Sequence, residues 1–241
     1  MRTSNPALKE QYFGAPAAVG VETMTLGGVV TKSLFLLLLL LFAAGFGWAS
    51  VNNGALPPAG LLFGTLIGAF VVAIATVMRP HWAPITAPLY AVLEGCVLGA
   101  ISAVYDARYA GLPLQALGLT TMVFLAMLFV YQTGMIKVTP GFRQGVVIAT
   151  GAIMLFYLAS FVMSFFGMQM PLLHSSGPIG IGISLVIIGV AAMNLMLDFD
   201  LIGRGVGRAP KVMEWYGGFT LMVTLVWLYL EMLRLLSKLR R

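Results

Sequence analysis

Residues 33–51 read Ser33-Leu34-Phe35-Leu36-Leu37-Leu38-Leu39-Leu40-Leu41-Phe42-Ala43-Ala44-Gly45-Phe46-Gly47-Trp48-Ala49-Ser50-Val51, without a single charge. A helix needs about 20 mainly apolar residues to cross about 30 Å of hydrocarbon, and this stretch meets that requirement. Outward from it, six more stretches of the same kind follow at 57–78, 86–105, 114–136, 144–167, 178–202 and 213–237. Helix breakers separate them: Asn52-Asn53-Gly54, Arg79-Pro80-His81, Thr139-Pro140-Gly141, Ser176-Gly177-Pro178 and Arg208-Ala209-Pro210. The expected fold is an all-α membrane protein of about seven transmembrane helices. A polar N-terminal tail, 1–31, precedes a transmembrane domain, 32–241. Composition agrees: 60% of the 241 residues are apolar and 9% charged, against about 25% charged in soluble domains. A chain with so little polar surface needs the lipid bilayer as its solvent.

The formal net charge of +6 raises the question of nucleic acid. The basic residues stand singly between apolar runs with no basic-aromatic module, so no nucleic-acid partner is expected. Their placement instead reads as topology. Arg2, Lys9 and Lys32 precede span one, Arg79 follows span two, Lys137 and Arg143 follow span four, and Arg204, Arg208 and Lys211 follow span six. Only Arg108 stands against them in the opposite loops, so the N-terminus is expected in the cytoplasm and the protein in the cell (inner) membrane, multi-pass. The tail carries no cleavable signal and is expected to be partly disordered. Arg234, Lys238, Arg240 and Arg241 break the pattern, because seven crossings put them outside. Either span seven crosses as an exception, which its uninterrupted length favours, or it re-enters. The single cysteine, Cys96, excludes a disulfide framework and reads as a small packing residue. His81 and His174 lack metal-ligand spacing and read as solvated loop histidines. Gly64-xxx-Gly68 and Gly95-xxx-Gly99 read as ordinary internal packing rather than a dimer face.

Acids within spans carry the functional signal, since a carboxylate in hydrocarbon costs at least about 2.5–3.5 kcal/mol. Of eight acids, Glu10 and Glu22 lie in the tail and Asp106 at a loop; Glu94, Asp198, Asp200, Glu214 and Glu231 lie in or at the ends of spans. At 100° per residue, Thr220, Thr224, Trp227, Glu231, Arg234 and Lys238 fall within about 40° of one line on span seven. Such a stripe is expected to face the interior or a water-filled cavity. The local alternative is that Glu231 pairs with Arg234 at i,i+3 near the membrane surface. On span six, Asp200 shares a face with Arg204, which can neutralise it. Asn194 and Asp198 share another face, and Asp198 has no basic residue one turn away. Glu94, with Tyr90 and Tyr105 near its face, suits a protonated, hydrogen-bonded structural role. Glu214 suits a helix N-terminus beside the interfacial aromatics Trp215 and Tyr216.

Several of these motifs together resemble the Bax inhibitor-1/YccA family (transmembrane Bax-inhibitor-motif proteins), in its bacterial branch. They are Thr23-Met24-Thr25 and Lys32 before span one, Tyr90-Ala91-Val92-Leu93-Glu94-Gly95, and Leu98-Gly99-Ala100-Ile101-Ser102. Leu197-Asp198-Phe199-Asp200-Leu201-Ile202 is similar to the family's aspartate motif on the sixth helix. Glu214-Trp215-Tyr216 through Leu228-Tyr229-Leu230-Glu231-Met232-Leu233-Arg234 is similar to the family's closing segment. The resemblance implies a last helix surrounded by the other six. It also implies a pH-sensitive calcium leak in which acids on the last two helices share a proton and hold the pore closed. The matching positions are Asp198 and Glu231, as pH sensor and gate and as ligands for a transient Ca2+. Glu94, Asn194, Asp200, Arg204, Thr224 and Arg234 are the supporting polar residues. The chain departs from the pattern with Glu231 where many relatives carry Asp, and with Asp-Phe-Asp in place of the frequent Asp-Thr-Gln.

No resident cofactor is expected. Calcium is the expected permeant and the protomer a monomer. The alternative function is a non-conducting interaction protein that modulates a membrane-bound quality-control protease or another membrane protein. An enzyme is not expected. The Gly-x-Gly-Asp of intramembrane aspartyl proteases and the Gly-x-Ser-x-Gly of rhomboids are absent.

Overall fold

A computed structural model describes residues 22–54, 58–166 and 177–240. The expectations placed on residues 1–21, on His174 and Ser176, and on Arg241 lie outside these. Among the described residues there are seven α-helices: α1 Leu26–Asn52, α2 Pro58–Met78, α3 Ala83–Arg108, α4 Leu112–Gln132, α5 Pro140–Phe165, α6 Pro178–Gly205 and α7 Met213–Leu239. A short 3-10 turn, Pro80–Trp82, leads into α3. Each helix matches one expected span. Those beginning at Leu26, Leu112, Pro140, Pro178 and Met213, and the segment Pro80–Arg108, are long and apolar enough to cross a membrane; within α2, Phe63–Met78 is a shorter apolar stretch. The protein is therefore an all-α membrane protein.

The starts of the helices follow from their caps. Thr25 is extended, and its hydroxyl accepts from the amide of Gly28, so α1 begins at Leu26, inside the segment read as tail. Lys32 consequently lies on the second turn of α1 and not in a preceding loop. Thr139 caps α5 the same way, with Pro140 at the first helical position, and this draws Arg143 into the helix. Gly207, at φ +72, turns the chain out of α6 in a conformation that side chains rarely adopt.

The chain divides into two compact units, Met1–Arg108 with Asp198–Val223, and Tyr109–Leu197 with Thr224–Arg241. In the first, α1 packs along α3 through glycines. A Cβ on Gly47 would meet the Cys96 carbonyl at 2.4 Å, one on Gly95 the Leu40 carbonyl at 2.4 Å, and one on Gly99 the Ala44 carbonyl at 2.0 Å. Backbones thus touch, as small residues permit. Gly95-xxx-Gly99 is internal packing, as expected, and Cys96 is buried in the same seam. Gly64 differs: a Cβ there would meet nothing within 4 Å, while one on Gly68 would only touch Leu93. The first turns of α7 are enclosed by α1, α3 and α6, with Gly217 against Ile202 and Val29, Gly218 against Ser33 and Leu36, and Phe219 edge-on to Tyr90.

Residues 22–25 add an extended segment to this unit. The Met24 amide donates to the Ala209 carbonyl (2.8 Å), and the Gly207 amide to the Met24 carbonyl (2.9 Å). The Lys211 amide donates to the Glu22 carbonyl (2.9 Å). Thr23 and Pro210 form an isolated antiparallel bridge, and the Met24 side chain is fully buried.

In the second unit, α4 and α5 expose large apolar side chains such as Leu125, Phe129, Leu155 and Phe161, the surface a lipid-facing helix presents. The last turns of α7 reach α4, α5 and α6 through cations. Lys238 Nζ donates to the Gly180 carbonyl and the Ser184 hydroxyl, both at 2.9 Å, and Arg240 donates to the Ala110 carbonyl and Gln115 Oε1, both at 3.0 Å. α7 is one unbroken helix of 27 residues, about 40 Å long, a length that suits a full crossing. Its cations are engaged with neighbouring helices rather than displayed on a loop.

Candidate functional site

The polar stripe on α7 faces inward. Thr220, Thr224, Glu231 and Lys238 are buried, and Trp227 and Arg234 half-buried. Glu231 is 1% exposed. One nitrogen of Arg234, Nη1, reaches both of its oxygens, at 2.9 and 3.0 Å, so the i,i+3 pair expected from the sequence forms. It has a third member. The Tyr157 hydroxyl on α5 donates to Glu231 Oε1 at 2.6 Å and accepts from Arg234, whose guanidinium lies 4.9 Å from the centre of the tyrosine ring. Charge-assisted hydrogen bonds and a cation–π contact together compensate a carboxylate that water does not reach. Sequence reasoning missed Tyr157. Its one signal is a polar-tipped aromatic in the middle of an apolar span, since a buried tyrosine hydroxyl normally has a partner.

The α6 residues fall in two groups. Asn194 donates to Thr150 Oγ1 on α5 at 2.8 Å and to the Val190 carbonyl at 2.9 Å, within the second unit. Asp200 pairs with Arg204 at 2.8 Å, one turn on, as their spacing implied. Asp198 is 6% exposed and belongs to the first unit, whereas Glu231 belongs to the second. Glu94 is buried in the first unit and accepts from the hydroxyl of Tyr90, one turn earlier on α3. Among the described residues no three His, Cys, Asp or Glu side chains gather closely enough to share a metal ion.

A second buried acid opens α7. Glu214 is fully buried, and its Oε1 accepts from both the backbone amide and the hydroxyl of Thr25, each at 2.9 Å. Its Oε2 receives Lys32 Nζ, which also stands 5.6 Å from the centre of the Trp215 ring. Gly28 makes room: a Cβ there would lie 2.2 Å from the carboxylate. The expected acid near a helix N-terminus is present, but it serves two. It sits in the first turn of its own helix and accepts from Thr25, the capping residue of α1, so it favours both dipoles. Beside it lies an open cavity of about 640 Å³ lined by Glu22, Thr31, Lys32 and Lys211, among others. At its rim Lys211 Nζ meets Glu22 at 2.6 Å. That hydrogen bond, and then the charge of Glu22, raise the Lys211 ammonium above its ordinary pKa.

The family model for Bax inhibitor 1 like proteins matches residues 5–241. No curated protein matches the chain. With seven apolar helices in hand and a family match that begins at residue 5 and runs to the last residue, the chain belongs to the Bax inhibitor 1 like family of multi-pass membrane proteins.

Proposed function

We propose that this protein is a pH-sensitive cation leak with calcium as the permeant ion, gated by Asp198 and Glu231. The observation that carries the reading is the Glu231 cluster: a carboxylate within a membrane span, shielded from water, with its counter-charge on its own helix. Arg234 travels with Glu231, so the acid keeps a compensating charge if α7 shifts against its neighbours. In the closed state the two acids share a proton and tie the last two helices together. Two carboxyls at close range cannot both ionise cheaply, so they titrate as a unit. Loss of the shared proton replaces the tie with repulsion and presents hard oxygen ligands suited to Ca2+. The basic residues before α1 and after the even-numbered spans support an inner-membrane location with the N-terminus in the cytoplasm.

The test is calcium entry into proteoliposomes across a pH series. The expected result is a leak that increases as pH rises, with a flattened pH response in Asp198→Asn and Glu231→Gln. No flux above empty liposomes at any pH, from protein shown to be folded, would falsify the reading and favour the non-conducting interaction protein.

A further inference from the structure

We propose that residues 22–25 form a releasable strap that couples the N-terminal segment to the first turn of α7, and that it opens from its outer end inward. The coupling is independent of whether the protein conducts. The strap has two unequal ends. The outer end is the Glu22–Lys211 pair, with side chains 75% and 54% exposed. Exposed pairs of this kind are weak and screened by salt. The inner end is Glu214, fully buried, with three donors from Thr25 and Lys32. Between the ends lie the three backbone hydrogen bonds of Met24, Gly207 and Lys211, and the buried Met24 side chain.

The connection to α7 is direct. Lys211, whose amide the strap holds, supplies the carbonyl that accepts from the Glu214 amide, and Pro210, opposite Thr23, supplies the one that accepts from Met213. A load on the chain before residue 22 therefore acts first on the Glu22–Lys211 pair. It passes next to the 207–211 connection and then to the hydrogen bonds that begin α7.

Hydrogen exchange on the full-length protein in lipid nanodiscs tests this. Glu22→Cys is labelled with a bulky polyethylene glycol maleimide, which imitates an occupied tail. Cys96 is buried, so the label goes to position 22. The expected result is faster exchange, by about two- to fivefold, at the amides of Met24, Gly207 and Lys211 and at Met213–Trp215, as for loss of one exposed ion pair. The α5 cap amide of Phe142 should be unchanged. Faster exchange at Lys211 alone overturns the proposal, because the strap would then fray without transmitting.

Glu214→Gln attacks the inner end and should accelerate the same amides, including Lys211. Wild-type protection across 207–211 in that variant also overturns the proposal. If Glu214→Gln does not fold, Thr25→Val removes one donor and leaves the ion pair, and the same comparison is read from it. An antiparallel bridge brings Cα atoms within about 5.5 Å, close enough for a disulfide. Thr23→Cys with Pro210→Cys should therefore restore slow exchange in the Glu214→Gln background.

Discussion

Glu214 and Glu231 are both acids of α7, and both are cut off from water, yet they are held in opposite ways. Glu214 is gripped from outside its helix. Its donors are a backbone amide, a hydroxyl and an ammonium, all from residues 25 and 32, and a glycine is hollowed out to seat it. Glu231 is held chiefly from within, by Arg234 three residues on, with one hydroxyl from α5. An acid whose partners lie on another element cannot move without breaking them. An acid that carries its cation along can exchange its remaining contact and stay compensated. Burial alone does not separate a fastener from a working residue; the origin of the counter-charge does.

The sharpest way to break this contrast is to remove each carboxylate and measure unfolding in detergent. Glu214→Ala strands Lys32 and the Thr25 amide, and a loss on the order of 3–5 kcal/mol is expected, as for breaking a buried pair. Glu231→Ala should cost clearly less, because Arg234 is one-third exposed and can turn towards water. Equal losses would erase the distinction. Next in size, Gly28→Ala leaves every charge in place but drives a methyl into the Glu214 carboxylate, for about 1–3 kcal/mol by overpacking. A neutral result would mean that the seat is not tight. Tyr157→Phe deletes only the outside contact of Glu231 and should cost about 1 kcal/mol. A larger loss would place Glu231 among the fasteners.

The smallest effect lies at the rim of the first site. The Lys211 pKa is raised in the folded protein, so its contribution is complete below the unfolded value of about 10.4 and fades as pH rises through the folded one. A melting temperature that drops slightly faster above about pH 10 in wild type than in Glu22→Gln is the expected sign.

The helices were legible because each is a long, mainly apolar run, and Asp200–Arg204 and Glu231–Arg234 because both pairs sit one turn apart on a helix. What escaped depended on contacts distant in sequence. Lys32 read as a loop charge, since the apolar run begins after it. Only the Thr25 cap, which needs the backbone of Gly28, carries the helix back to include it. Its partner is 182 residues away, beyond any local pattern. Tyr157 escaped for the same reason, lying 74 residues before Glu231. Gly64 and Gly95 show the limit of a spacing motif: the same four-residue step faces open space on α2 and a neighbouring backbone on α3.

The Lys32–Glu214 contact also has a meaning in time. Helices leave the ribosome in order, N-terminal first. α1 enters the bilayer with its lysine and its capping amide uncovered, and in that state Lys32 can act as an orienting charge. Its carboxylate is made last, on the seventh helix. The contact therefore closes only on a complete chain, and a truncated or stalled product keeps an open helix start and a bare ammonium at the membrane surface.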